Sequence, residues 1–144
     1  MDQNAVWKKA CSVWEVGARA LDHLSARIDP RALARCVEYL ARCRGRIVTA
    51  GLGTSGAAAK KIAHSLSCIE RPAFFLDAGD AVHGALGAVQ PGDVVILISK
   101  GGNTRELVDL LPALKTKQTV RIGVGENPDS VLGRECDLFL TIRV

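Results

Sequence analysis

The stretch Asp93–Lys115, DVVILISKGGNTRELVDLLPALK, decides the fold. Val94 to Ile98 is an apolar run without polar alternation, which is how a strand reads when both its faces are buried in a parallel sheet. Ser99 to Thr104 interrupts it with two glycines, two hydroxyls, an amide and a lysine. A helical stretch is predicted over 103–117. Strand, glycine-rich turn and helix make one unit of a wound α/β sheet.

Four further apolar runs flank this unit: RIVTAG (46–51), AFFLD (73–77), VRIGVG (120–125) and DLFLTIRV (137–144). Helical patterns over 55–69 and near 129–134 lie between them. The segment GDAVHGALGA (79–88) is broken by glycine and reads as a loop with a short helix. Alternating strands and helices predict an α/β protein, a doubly wound, three-layer αβα sandwich. Before the sheet, residues 4 to 29 carry a helical stripe of Trp7, Ala10, Trp14, Gly17, Leu21, Leu24 and Ile28. Such a stripe needs an apolar partner, either the chain's own core or a second subunit. A second helix starts near Pro30 behind Asp29 as N-cap and runs through Leu33, Val37 and Leu40 to about Gly45. The expected organisation is one domain over 1–144, with N-terminal helices in 1–44 and the sheet core in 45–144.

Composition narrows the function classes. Apolar residues make up 48% of the 144, enough for a globular core. The formal charge is +4 with acids and bases interspersed, which points away from nucleic acid and suits a small anion. No apolar run reaches membrane-spanning length, and the N-terminus MDQNAVWKKACSVW lacks a signal-peptide core. Cys11, Cys36, Cys43, Cys68 and Cys136 show neither CxxC nor metal-ligand spacing. The expectation is a cytoplasmic protein with no metal and no cofactor, its cysteines packed as small hydrophobes.

In open parallel sheets, ligands bind beyond the carboxyl ends of the strands. Two loops therefore matter. Gly51-Leu52-Gly53-Thr54-Ser55-Gly56 follows a strand and opens a helix, offering free backbone N–H groups and two hydroxyls to an anion; Lys60 and Lys61 follow. It also matches GxGxxG, with Asp77 as the acid a dinucleotide site would need. The second loop, Ser99–Thr104, is another anion-receptive turn. Two such turns converging on one ligand suit a hydroxylated phosphate ester better than an extended dinucleotide.

At this point the residues resemble a family. GRIVTAGLGTSGAAAKKIAHSL, AFFLDAGDAVHGALGAVQPGDVVILISKGGNTRELVDLLPALK and GENPDSVLGRECDLFLTI look like the SIS (sugar isomerase) domain, in particular its arabinose-5-phosphate isomerase branch. The resemblance implies a five-stranded parallel sheet of flavodoxin-like order, a phosphorylated sugar between the two loops, and homodimers or homotetramers built through helices. It implies phosphate binding by Ser55, Ser99 and Thr104, with Thr54, and with Gly53, Gly101, Gly102 and Asn103 completing the loops. It further implies His83 for proton transfer, with Asp129 as its acid/base companion. Three departures stand out. Ala85 sits where the family has an acid after the histidine, Thr54 where it commonly has a lysine, and Gly101 and Asn103 where its second loop reads Ser and Glu. Asp80 and Glu126 read as solvated, His64 as packed in its helix and His23 as solvated. Family members continue past the fifth strand with another helix and often with paired regulatory domains, none of which falls within these 144 residues. The expected activity is aldose–ketose isomerisation of a sugar phosphate. A non-catalytic phosphosugar sensor is the alternative, and a dinucleotide-binding fragment a more distant one.

Overall fold

A computed structural model describes residues 2–143. The apolar runs become five parallel strands: β1 (Ile47–Gly51), β2 (Ala73–Phe75), β3 (Val94–Ile98), β4 (Val120–Gly125) and β5 (Leu138–Thr141). Their order in the sheet is β2-β1-β3-β4-β5. Register is set by pairs such as Val48↔Phe74, Val48↔Val95, Val95↔Arg121 and Gly123↔Phe139. Because successive side chains alternate, each strand feeds two cores. Val48, Ala50, Val95 and Leu97 face one side, where Leu107, Leu110, Leu114 and Leu132 of the following helices cover them. Ile47, Val94, Ile96, Ile122, Leu138 and Leu140 face the other and meet Cys36 and its neighbours.

Among the described residues eight α-helices and a short 3-10 turn (Ala85–Ala88) accompany the sheet: α1 (Gln3–Asp22), α2 (Leu24–Arg27), α3 (Pro30–Arg42), α4 (Gly53–Cys68), α5 (Ala78–Val82), α6 (Arg105–Val108), α7 (Leu111–Thr116) and α8 (Val131–Glu135). Asp29 caps α3 by accepting from the Arg31 N–H, with Pro30 at its first turn. The single helix expected over 103–117 is two. Pro112 has no N–H to give, and its ring would strike the Val108 carbonyl four residues back. The chain therefore leaves α6 at Asp109 and restarts with Pro112 in the first turn of α7.

The N-terminal stripe does not pack on the chain's own core. No residue of α1 is buried, and Trp7, Trp14 and Leu21 are exposed, whereas Ala10, Leu24 and Ile28 are half-covered. The cysteines are also more varied than expected. All are free; Cys36 is buried, Cys11, Cys43 and Cys136 are partly buried, but Cys68 is exposed with its Sγ 3.6 Å from His64 Nε2. That exposure at the end of α4 also places His64 on the surface rather than in packing. No helix among the described residues is long and apolar enough to cross a membrane.

Candidate functional site

The strand order places the site. From β1 the chain moves outward to β2 on one side; from β3 it moves outward to β4 and β5 on the other. The reversal lies between β1 and β3, whose last residues Gly51 and Ile98 are partners. Loops leaving two strands at such a reversal diverge over opposite faces and open a crevice between them. The two loops here are Gly51–Gly56 and Ser99–Thr104.

The first loop turns from β1 into α4 at close quarters. A β-carbon on Gly51 would come 2.8 Å from the Ser55 carbonyl oxygen, and one on Gly56 would come 2.7 Å from that of Gly51. Only glycine at both positions lets strand and helix approach this closely. Leu52, the N-cap of α4, provides no side-chain acceptor. The N–H groups of the first turn are thus left for an anion. Thr54 is exposed there and Ser55 half-buried.

The second loop is held by its own hydroxyls. Ser99 is 3% exposed, and its Oγ accepts the Gly102 N–H at 3.1 Å and lies 2.7 Å from Thr104 Oγ1. A buried hydroxyl must place its proton on an acceptor. Ser99 Oγ therefore shares a hydrogen bond with Thr104 Oγ1 in which either hydroxyl can be the donor, and that bond holds the Thr104 hydroxyl in place. Gly102, at φ 71°, has no room for a β-carbon, which would collide with the Ser130 hydroxyl. Asn103 Oδ1 accepts the Val131 N–H at 2.9 Å, and the Gly102 carbonyl accepts the Leu132 N–H at 3.0 Å. Both bonds tie the loop to the start of α8. Lys100 faces Glu126 at 3.5 Å. Gly101 is exposed.

Beyond the strand ends lies an open cavity of about 400 Å³, lined by Gly51, Leu52, Gly53, Gly56, Ala57, Lys60, Phe75, Asp77, Gly79 and Glu106. Of the expected site residues it contains only Gly53. Thr104 immediately precedes α6, whose second residue, Glu106, reaches the cavity. Asp77 Oδ1 is occupied in capping α5, accepting from Gly79 N at 2.8 Å and Asp80 N at 3.2 Å. The other expected residues lie apart. His83 is exposed at the C-cap of α5, past the lining Gly79. Asp129 borders a different cavity of about 470 Å³ with Glu126, Asn127, Pro128 and Arg143. The structure does not bring His83 and Asp129 onto one cavity. Sequence reasoning noted Lys60 after the first loop but missed Glu106 and Phe75 as lining groups. For Glu106 the only signal was an ionisable residue in the first turn of a helix following a glycine-rich loop.

Together these features define a class: a doubly wound α/β protein with two anion-receptive turns at the sheet's reversal. The SIS domain matches residues 39–144. A Listeria monocytogenes protein provisionally described as a sugar-phosphate isomerase superposes with a TM-score of 0.97 at 52% identity, over 100% of this chain and 75% of that one. An Escherichia coli CFT073 protein solved in complex with A5P gives a TM-score of 0.92 at 32% identity, over 100% and 76%. Arabinose 5-phosphate isomerase KdsD of Yersinia pestis is 39% identical over 111 residues, which are 77% of this chain but 34% of that protein. The chain belongs to the SIS domain family, and it spans about a third of the length of that curated relative.

Proposed function

We propose that this chain binds a phosphorylated sugar at the β1/β3 reversal and interconverts its aldose and ketose forms, acting as one unit over its 144 residues. The observation that carries this reading is the placement of both hydroxyl-rich turns at the reversal, beside a cavity holding the carboxylate of Glu106. Isomerisation moves one proton between adjacent carbons through an enediolate. The Glu106 carboxylate takes the proton from C2 and the C1 carbonyl becomes an enediolate oxygen; the carboxyl group then delivers a proton, exchangeable with solvent while it is held, to C1, as the 2-hydroxyl gives up its proton to become the ketone and O1 takes one up. Phosphate sits on the first-turn N–H groups of α4 with Thr54, Ser55 and Thr104, and Ser99 orients Thr104. Glu106 takes the base role first considered for Asp129, because it lines the cavity and Asp129 does not. His83, exposed where α5 ends, is assigned to exchange protons with the sugar oxygens. Arabinose 5-phosphate, named for several relatives, is the first substrate to test. The free thiols suit a reducing cytoplasm, where we place the protein. Its partner is a second copy, met through α1.

The test is incubation with arabinose 5-phosphate in D2O. Conversion to the ketose, with deuterium entering at the exchanging carbon, supports the isomerase. Glu106→Gln should lower kcat by about 10²–10⁴-fold while leaving ligand binding intact. Unchanged turnover in Glu106→Gln overturns the assigned base. Stabilisation by the sugar phosphate without turnover or exchange selects a sensor, a reading favoured by Asn103, whose side-chain oxygen is engaged in holding α8.

A further inference from the structure

Where the cleft meets α4 it touches Gly53, Gly56, Ala57 and Lys60. These positions are three and four apart and share one face of the helix. The first three end at or before the β-carbon. Lys60 is therefore the first functional group that a ligand lying along this face encounters. Helical side chains lean toward the helix N-terminus, so the lysine stem points back toward the uncapped first turn.

The ammonium is also held. Lys60 Nζ lies 4.9 Å from the centroid of the Phe75 ring, and Phe75 lines the same cleft. A cation resting on an aromatic face is attracted by the ring, which restricts where the exposed ammonium sits. Lys60 is the sole cation among the lining residues, and none of the ion pairs among the described residues includes it. Of the two carboxylates in the lining, Asp77 is occupied in capping α5, and Glu106 stands on α6. Thr54, on the first loop, contributes a hydroxyl but no charge.

We propose that Lys60 pairs with the phosphate dianion of the bound sugar phosphate from the α4 side of the cleft, supplying the charge that Thr54 lacks. This rests on the sugar-phosphate reading above. A phosphate monoester carries roughly −1.5 to −2 charges at pH 7. Backbone N–H groups and hydroxyls bond to it without neutralising it; an ammonium does both.

Titration calorimetry of the wild type, Lys60→Met and Lys60→Arg with two probes, inorganic phosphate and arabinose 5-phosphate, tests this. Methionine keeps an unbranched stem over Phe75 and removes the charge. Lys60→Met should weaken both probes by about 10- to 100-fold at low salt, the range expected for a lost hydrogen bond to a charged group. Lys60→Arg should recover most of that loss. Because Lys60 is exposed, the unliganded melting temperatures should agree across the three proteins. Wild-type affinity of Lys60→Met for both probes overturns the proposal and leaves the sugar-phosphate reading standing. A loss confined to arabinose 5-phosphate, with phosphate binding intact, also overturns it, because the charge would then serve the sugar. A wild type that binds neither probe removes the sugar-phosphate reading itself, and this proposal with it.

Discussion

Ser99 and Thr104 show how one buried hydroxyl can prepare another. The 2.7 Å bond between them, together with the Gly102 N–H on Ser99, holds the Thr104 hydroxyl in one position. Thr104→Val should therefore weaken sugar-phosphate binding by about tenfold, as expected for one hydrogen bond to a charged group. Ser99→Ala should cost less, because the Thr104 hydroxyl remains but is free to rotate. Calorimetry on both variants checks the order; a larger loss in Ser99→Ala than in Thr104→Val would mean that Ser99 itself reaches the ligand. At this scale the sequence was only partly legible. The residue types of the loops raise the expectation of an anion, since glycines and hydroxyls before a helix have a direct physical meaning. Which hydroxyl faces the ligand was hidden, because it depends on a five-residue closure that only the folded loop makes. Glu106 was hidden for a related reason. A glutamate early in a helix is ordinary capping chemistry until the strand order turns that helix toward the cleft.

At the β4–β5 junction an ion pair joins two elements alongside the apolar packing. Arg121 on β4 is buried in the sheet, and its guanidinium makes bonds of 3.0 and 2.8 Å to Asp137, just before β5; Asp137 also accepts the Arg121 backbone N–H at 2.8 Å. Burial pushes the Asp137 carboxyl up, but these bonds and the Arg121 charge outweigh it and hold the carboxyl below its usual range. A depressed carboxylate contributes stability above its unfolded value, about pH 4, and loses it as pH falls through the folded value. Asp137→Asn should destabilise the protein at neutral pH by about 1–2 kcal/mol, after discounting for a side chain more than a third open to solvent. As pH falls below about 4 the two melting curves should approach each other, converging once the pH lies below the folded value. A difference that does not shrink at any pH below about 4 at which the protein is still folded would show that shape, not charge, holds the β4–β5 junction. Next to this pair, burial drives the Cys136 thiol up to about 12, which keeps it protonated and inert at neutral pH. The strands themselves were readable from sequence because burial on both faces leaves uninterrupted Val and Ile runs. The break at Pro112 was readable in principle, but the helical periodicity of its flanks concealed it.

At the scale of the molecule, α1 is the part that the monomer leaves unfinished. It is a 20-residue helix without a buried residue, and it presents Val6, Trp7, Val13, Trp14, Val16 and Leu21 to solvent. Trp7 and Trp14 are 62% and 60% exposed and touch only edge to face, with ring centroids 5.6 Å apart. A soluble chain seldom leaves so many large apolar groups on one helix without a partner. Paired tryptophans are the residues that anchor interface centres, because each buries a large area at little cost in conformational entropy. The stripe was visible in the sequence, but periodicity states only that a helix has an apolar side, not what covers it. The stripe stays exposed on the described residues, and a second copy is the partner we propose for it. Trp7→Ala combined with Trp14→Ala should raise the dimer dissociation constant by at least about 100-fold, since each anchoring residue in such a patch is worth roughly 2 kcal/mol or more. Light scattering across a concentration series reads this directly. The melting temperature of the variant should lack the concentration dependence expected of the wild type, because association stabilises only the folded state. A wild type that is monomeric at micromolar concentration, or a double variant that associates as tightly, would show that α1 is not the surface through which copies of this chain meet.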